Sequence, residues 1–264
     1  MKSIHPCFAV LLCMGLVACA ATHKAIEPIQ AMTVDALRLK MNSTRSHIET
    51  MRGEARLTYF GPSGRIKGTA TIAASRPGSF RYNVLGPHGG VVEAFSTDGR
   101  ELQVLKLMES RYLYGPATAE TLDRLMAFAP LQLDSTGWVG LLFGSISVPD
   151  TAVVRVEQAT GRIEAEWALG LRQITLDVDP RTWMVERLRV RDGDVLVSEV
   201  TIAKRDDLGL PAQLKMSVPG SEVELELRLR DVEVGVAFPD GTFYIEPPRG
   251  FRAEYVGSSH RPVD

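Results

Sequence analysis

The strongest constraint on this chain is a strict alternation of apolar and charged residues near its C-terminus. From residue 222 to 229 the order is Glu222, Val223, Glu224, Leu225, Glu226, Leu227, Arg228 and Leu229. Successive side chains of a β-strand point to opposite faces, so this pattern predicts a strand with one buried face and one wet face. Such strands are typical of antiparallel sheets that are covered on one side only.

The same period of two recurs along most of the chain. It is found at Ala55/Leu57/Tyr59, Ile66/Gly68/Ala70/Ile72, Phe80/Tyr82/Val84, Leu102/Val104, Val154/Val156, Ile163/Ala165/Trp167, Ile174/Leu176/Val178, Trp183/Val185 and Val195/Val197. In the first half, connectors rich in Gly and Pro, such as 61–64 and 76–78, are too short for crossover units and predict an antiparallel meander. After Leu229 the apolar residues move from odd-numbered to even-numbered positions, beginning at Val232. This change predicts a bulge at Arg230-Asp231.

Three segments have helical rather than strand periodicity. We predict an N-terminal helix over 34–49, with Thr33 as its N-cap, and two short helices over 118–128 and 134–143. Many strands with few helices predict an α+β fold or a partly open barrel. A sheet this long should curl, and helices covering an apolar concave face would enclose a hydrophobic cavity.

Composition excludes several classes of function. The 264 residues carry a net charge of −2, without a Lys/Arg cluster in the sequence, so we expect no nucleic-acid partner. The histidines fall in no metal-ligand spacing, and the nucleophile, dinucleotide and phosphate-loop motifs are missing from the sequence. We therefore expect no enzyme activity, no cofactor and no metal.

The N-terminus resembles a bacterial lipoprotein signal peptide. A short apolar run ends in Leu16-Val17-Ala18-Cys19, which is similar to a lipobox cleaved before the cysteine. The resemblance implies a signal peptide over 1–18, lipidation of Cys19, and a lipid anchor in the membrane. Ala20 resembles the second mature residue of lipoproteins sorted to the outer membrane. We expect a lipidated N-terminus and tether over 19–32, one domain over 33–256 and a tail over 257–264.

Several blocks along the domain resemble the LolB family of outer-membrane lipoprotein receptors and its LolA-like relatives. The most similar block is 80–90, Phe-Arg-Tyr-Asn-Val-Leu-Gly-Pro-His-Gly-Gly, and the collinear blocks are 51–55, 101–105, 131–135 and 241–250, with Tyr112 and Trp138 beside them. The resemblance implies an incomplete β-barrel whose apolar inner face, capped by helices, accommodates acyl chains. It also implies that 241–250 forms the closing strand.

The strand pattern and the helices give a set of candidate cavity residues. They are Leu57, Tyr59, Ile72, Phe80, Tyr82, Val84, Leu102, Val104, Trp138, Leu142, Trp167 and Trp183. The turn at 86–89, with Pro87 in its second place and Gly89 in its fourth, suits a type I turn. In LolB the matching turn presents a leucine that looks suited to the membrane interface; His88 takes that position here, and a polar imidazole is less favourable in lipid.

Three functions are compatible with the sequence. The first is an outer-membrane receptor, facing the periplasm, that takes lipoproteins from a soluble LolA-like carrier and inserts them into the membrane. The second keeps the cavity but binds or senses another envelope lipid, which His88 favours. The third is a structural lipoprotein of envelope assembly with a filled interior. We expect a monomer in each case.

Overall fold

The computed structural model describes residues 32–45, 47–62, 64–126, 130–157 and 159–257. The signal peptide, Cys19, nearly all of the tether and the tail from residue 258 lie outside the described residues. Within them, no helix has the length and apolar character that crossing a bilayer requires.

One large sheet dominates the structure, with three helices beside it. The helices are α1 (Val34–Arg45), α2 (Ala119–Leu125) and α3 (Ser135–Leu142). The strands are β1 (Thr50–Gly61), β2 (Gly64–Ser75), β3 (Ser79–Leu85), β4 (Val91–Thr97), β5 (Glu101–Lys106), β6 (Arg111–Pro116), β7 (Val153–Val156), β8 (Ile163–Leu169), β9 (Arg172–Asp179), β10 (Met184–Asp192), β11 (Val195–Arg205), β12 (Pro211–Val218), β13 (Val223–Val234) and β14 (Arg252–Tyr255).

The sheet is a curved, unclosed surface built from two meanders. Its strand order is β14-β6-β5-β4-β3-β2-β1-β13-β12-β11-β10-β9-β8-β7. The pairs are antiparallel except at one edge, where β14 lies parallel to β6. The first meander, β1 to β6, meets the second only where β1 pairs with β13. This is the incomplete barrel that the alternation and the family resemblance predict.

The bulge predicted in β13 is confirmed. Arg52 pairs with Glu233 and Glu54 pairs with Arg230, so β13 has one residue more than β1 between these pairs. Asp231 takes up the extra length with a left-handed φ of 49°. The displaced register is what moves the apolar side chains from odd to even positions.

The predicted closing strand is wrong. Residues 241–250 contain no strand, and the last strand is β14, which follows them. The apolar residues of this segment pack without entering the ladder: Ile245 is buried beside Tyr112, whose hydroxyl donates to the Ile245 carbonyl at 3.0 Å. Strands β4, β6, β12 and β14 are not among the predicted strands, although β12 does alternate from Ala212 to Val218.

The predicted helices are present, with shorter bounds. Thr118 and Asp134 are the N-caps of α2 and α3, and their side chains accept the backbone N–H of Thr121 and Gly137. The first helix ends at Arg45 rather than residue 49, because the chain must turn before β1 begins at Thr50. Buried residues from both meanders and all three helices form one main hydrophobic core.

Candidate functional site

An apolar cavity lies between the concave face of the sheet and helix α3. Strands β1, β2 and β3 form one wall, β12 and β13 form another, and α3 covers them. The lining residues are Leu57, Tyr59, Ala70, Ile72, Phe80, Tyr82, Val84, Glu93, Met126, Trp138, Leu141, Leu142, Leu214, Met216, Leu225 and Leu227. The alternation in each strand explains this wall, since every second side chain faces inward.

Stacked aromatic rings stiffen one side of the cavity. The Phe95 ring lies 4.8 Å from that of Phe80 and 5.2 Å from that of Tyr82, with both pairs close to parallel. Phe95 belongs to β4 and is directly opposite Tyr82 in the β3–β4 pair. Such ring contacts stabilise the structure beyond the burial of each ring. Side-chain packing therefore holds this wall in place in addition to the backbone hydrogen bonds of the sheet.

The cavity has a volume of about 180 Å³. For comparison, an engineered apolar cavity of about 150 Å³ in another protein binds benzene. The space therefore accommodates a short segment of a hydrocarbon chain. A whole long chain requires α3 to move away from the sheet or the chain to extend along the concave face.

The cavity opens toward the tip of the β1–β2 hairpin. Ile66 is directly opposite Tyr59 in this hairpin and shares its face of the sheet, yet it is 58% exposed. At the other end, Ser135 of α3 donates to the Gly99 carbonyl in the β4–β5 turn, so the helix closes the cavity there. A ligand would enter from the hairpin side.

The apolar lining includes four residues with polar side-chain atoms, Tyr59, Tyr82, Glu93 and Trp138. Tyr82 donates its hydroxyl to Glu93 at 3.3 Å. Burial, and then the neighbouring carboxylate, raises the pKa of Tyr82 far above its ordinary value, so the phenol stays neutral. Trp138 is buried, and its indole Nε1 has no hydrogen-bond partner within the described part of the chain. The Tyr82–Glu93 pair could orient a polar atom of a mainly apolar ligand.

Comparisons with known proteins identify the fold. No family model and no curated protein matches the sequence. Among solved structures, a LolA superfamily protein from Nitrosomonas europaea aligns with a TM-score of 0.57 at 13% identity, over 81% of this chain and 98% of that chain. The fold is LolA-like.

Two further structures align in the same way. A domain described as an outer membrane lipoprotein-sorting protein, from Vibrio parahaemolyticus, has a TM-score of 0.58 at 8% identity, over 80% of this chain and 96% of its own. A DUF1329 family protein from Desulfovibrio piger has a TM-score of 0.60 at 12% identity, over 80% and 95%. At such identities the similarity shows the LolA-like fold alone.

Eight of the twelve candidate cavity residues line the cavity of this LolA-like fold. They are Leu57, Tyr59, Ile72, Phe80, Tyr82, Val84, Trp138 and Leu142. The sequence predicts them because the strand residues alternate onto one face of the sheet and α3 is apolar enough to cover that face. Whether they contact a ligand stays a prediction.

The other four candidates lie elsewhere. Leu102 and Val104 are buried in β5, where Val104 is opposite Phe95, so the aromatic stack separates them from the cavity. Trp167 is buried in β8, which is far along the second meander. Trp183 is not in a strand: it has a φ of 56°, and the Lys40 ammonium of α1 lies 5.6 Å from its ring.

Several lining residues were not predicted. Leu225 and Leu227 belong to the clearest alternation in the chain, so the signal was present once β13 was known to lie beside β1. Leu214 and Met216 of β12 alternate with Gln213, Lys215 and Ser217, so a signal for them was present in the sequence but was not used. Glu93 lies two residues before Phe95 in β4, so its side chain is on the same inward face of the sheet. A charged residue, however, does not indicate an apolar cavity wall.

The turn at 86–90 is confirmed as a tight turn. Gly89 donates its backbone N–H to the Gly86 carbonyl at 3.0 Å, which closes the turn around Pro87 and His88. Both central residues are exposed at the hairpin end, where the cavity opens.

The described part of the chain contains no group of three or more His, Cys, Asp or Glu side chains placed to hold a metal ion.

Proposed function

We propose that this protein is an outer-membrane-anchored lipoprotein that binds acyl chains, receives lipoproteins from a soluble LolA-like carrier and inserts them into the outer membrane. The observation that carries the proposal is the apolar cavity between the sheet and α3. The resemblance of residues 16–19 to a lipobox supports a lipid anchor at Cys19, and Ala20 supports the outer membrane as its destination.

An acyl chain that crosses the aqueous periplasm must be buried, and such a cavity buries it. At about 0.8 kcal/mol per methylene, a chain of about sixteen carbons gains roughly 12 kcal/mol by leaving water. Receipt and release need only burial and exchange, and no covalent bond is made or broken. We therefore propose a binding and transfer protein without enzyme activity.

The test is binding of an acyl probe to the protein freed of lipid. The full chain, purified and refolded from denaturant, is titrated with a triacylated lipopeptide. Ala70 lines the cavity and Ala73 of the same strand faces outward, so Ala70→Phe should reduce binding at least tenfold and Ala73→Phe should leave it unchanged. Equal binding by the two variants, or none by the unmodified chain, contradicts the proposal.

A second candidate is binding of a different envelope lipid, without lipoprotein delivery. The observation that favours it is exposed His88 at the turn where LolB presents a leucine. Mass spectrometry of the intact protein isolated from the bacterial envelope distinguishes the candidates, because a lipoprotein cargo and a free lipid differ in mass. A transfer assay from a loaded carrier to vesicles tests delivery directly.

A further inference from the structure

The turns of the sheet are divided between two ends. Because neighbouring strands run in opposite directions, the turns β1–β2, β3–β4, β5–β6, β8–β9, β10–β11 and β12–β13 all lie at one end, which we call the hairpin end. The opposite end carries the β2–β3 and β4–β5 turns, against which α3 begins. The cavity opens at the hairpin end.

Apolar side chains project from three tips of the hairpin end. Leu171 in the β8–β9 turn is 91% exposed, Met108 between β5 and β6 is 87% exposed, and Ile66 near the β1–β2 turn is also exposed. Turns are normally occupied by Gly, Pro, Asn, Asp and Ser, so exposed aliphatic tips need another explanation. Val195 near the β10–β11 turn is exposed as well. It is not counted among the tips because the neighbouring Asp194 has no ion pair within the described residues, whereas Glu109, which adjoins Met108, is paired with Arg111.

A basic groove lies on the convex face at the same end. We define it by Arg56, Arg65, Lys67, Arg228 and Arg230, which line a space of about 610 Å³ that also reaches the turn at Pro87. Glu226 is the one acidic residue that lines it, and it is bonded to Arg228. The groove thus concentrates positive charge on a chain whose net charge is −2.

The register of the sheet brings two of these cations together. Arg56 and Arg228 are directly opposite each other in the β1–β13 pair. Like charges at such positions destabilise a sheet. Within the described residues, Arg56, Lys67 and Arg230 form no ion pair, so the groove offers unused positive charge to an anionic ligand.

We propose that the hairpin end docks on an anionic lipid bilayer. The tips Ile66, Met108 and Leu171 enter the boundary between headgroups and acyl chains, and the basic groove binds lipid phosphates. Apolar insertion combined with cationic attraction is the general basis of binding at a membrane surface. The docking does not depend on an occupied cavity; that it turns the cavity mouth toward the bilayer rests on the proposed function.

The test is co-sedimentation with lipid vesicles. The full chain carries Cys19→Ala, so that no acyl anchor contributes, and is mixed with vesicles of phosphatidylcholine alone or with added phosphatidylglycerol. We expect binding to the phosphatidylglycerol vesicles that weakens as salt is added. Equal binding to both vesicle types, or to neither, overturns the proposal.

Charge variants test the groove. The triple variant Arg56→Gln, Lys67→Gln, Arg230→Gln should lower the partition coefficient for phosphatidylglycerol vesicles by about 100-fold, since each cation near an anionic surface contributes about fivefold. The control Arg181→Gln, Lys204→Gln, Arg249→Gln removes equal charge from exposed positions outside the groove and should stay within about fivefold of the unmodified chain. Equal losses in the two triple variants contradict the proposal.

Tip variants test insertion. Met108→Ser with Leu171→Ser should lower partitioning by about tenfold, whereas Leu39→Ser with Leu208→Ser removes two exposed leucines away from the hairpin end and should have little effect. Equal effects of the two pairs contradict insertion. If inorganic phosphate displaces the protein from vesicles and the tip variants bind normally, the groove is a site for free anions and the docking proposal fails.

The test of vesicle docking can be separated from the test of acyl binding. Ala70→Phe should keep vesicle binding while it loses the lipopeptide, and the groove triple variant should show the reverse. Loss of vesicle binding in Ala70→Phe would contradict docking by the outer surface of the hairpin end.

Discussion

Trp138 lines the cavity and also carries a buried polar atom. Its indole N–H has no partner in the described part of the chain, and a buried donor left unpaired is costly. This atom is covered from the cavity as well as from solvent, so Trp138 offers a ligand the area of its ring rather than a hydrogen bond.

Trp138→Phe should weaken binding of methyl palmitate and of hexadecane to a similar extent, because both ligands lose the same contact area at the cavity wall. The urea midpoint should stay near that of the unmodified protein, because the unpaired donor is removed together with part of the ring. Displacement of a fluorescent fatty acid measures both ligands. A loss for methyl palmitate that is severalfold larger than the loss for hexadecane would show that the indole N–H reaches the ligand.

Asp98 makes the stability of the fold depend on pH in the acidic range. Its Oδ1 accepts the backbone N–H of Arg100 at 2.8 Å and of Glu101 at 2.9 Å. Burial raises the pKa of Asp98, but these hydrogen bonds outweigh it and hold the pKa below its ordinary value. A depressed carboxyl pKa stabilises the fold above the unfolded pKa of about 3.9, and this contribution is lost as the pH falls through the folded value.

Asp98→Asn keeps an acceptor oxygen at this turn and removes the charge. The variant should be less stable than the unmodified protein at neutral pH, and the difference should shrink below about pH 4, where the unmodified carboxyl is protonated. Urea unfolding between neutral pH and acid measures it. A difference that is constant across this range would assign the effect to geometry rather than to charge.

Among the elements, α3 depends most on a close backbone approach. A Cβ at Gly140 would overlap the carbonyl oxygen of Ser145, whose own N–H donates to the Gly140 carbonyl at 2.8 Å. Helix propensity favours Ala over Gly by about 1 kcal/mol. The overlap is with backbone rather than a flexible side chain, so strain should exceed that gain.

Gly140→Ala should therefore destabilise the protein by about 2 kcal/mol and alter acyl binding, because α3 covers the cavity. Gly90→Ala is the matched control: a Cβ there meets nothing within 4 Å, and its stability should change by less than about 0.5 kcal/mol. Urea midpoints and lipopeptide titrations measure the two effects. An unchanged midpoint for Gly140→Ala would show that α3 shifts freely on the sheet.

The same elements show what the sequence can predict. Parity identified the β13 bulge at Asp231, and the polar residues Thr118 and Asp134 marked the starts of two helices, since both signals are local. The closing strand at 241–250 was inferred from the family resemblance, and a few similar residues do not determine whether a segment enters the ladder. The parallel pairing of β14 with β6 depends on distant partners and has no local signature.

At the scale of the whole molecule, the two meanders meet along one seam. Residues 181 positions apart are joined there, for example through the Arg52–Glu233 ion pair at 2.7 Å. No local pattern specifies this pairing, so the cavity wall contributed by Leu225 and Leu227 could not be assigned from sequence. The core nevertheless runs across the seam without interruption.

A continuous core predicts that both meanders unfold together. Leu102 is fully buried in the first meander and outside the cavity, so Leu102→Ala should cost about 2–5 kcal/mol. Trp167 and Trp183 belong to the second meander, but the third tryptophan, Trp138, lies in α3 against the first. Trp138→Phe is therefore introduced into both proteins, so that tryptophan fluorescence reports the second meander. The urea midpoints from fluorescence and from circular dichroism should fall together. A fluorescence midpoint that stays in place while the circular dichroism midpoint falls would show two independent units joined at β1 and β13.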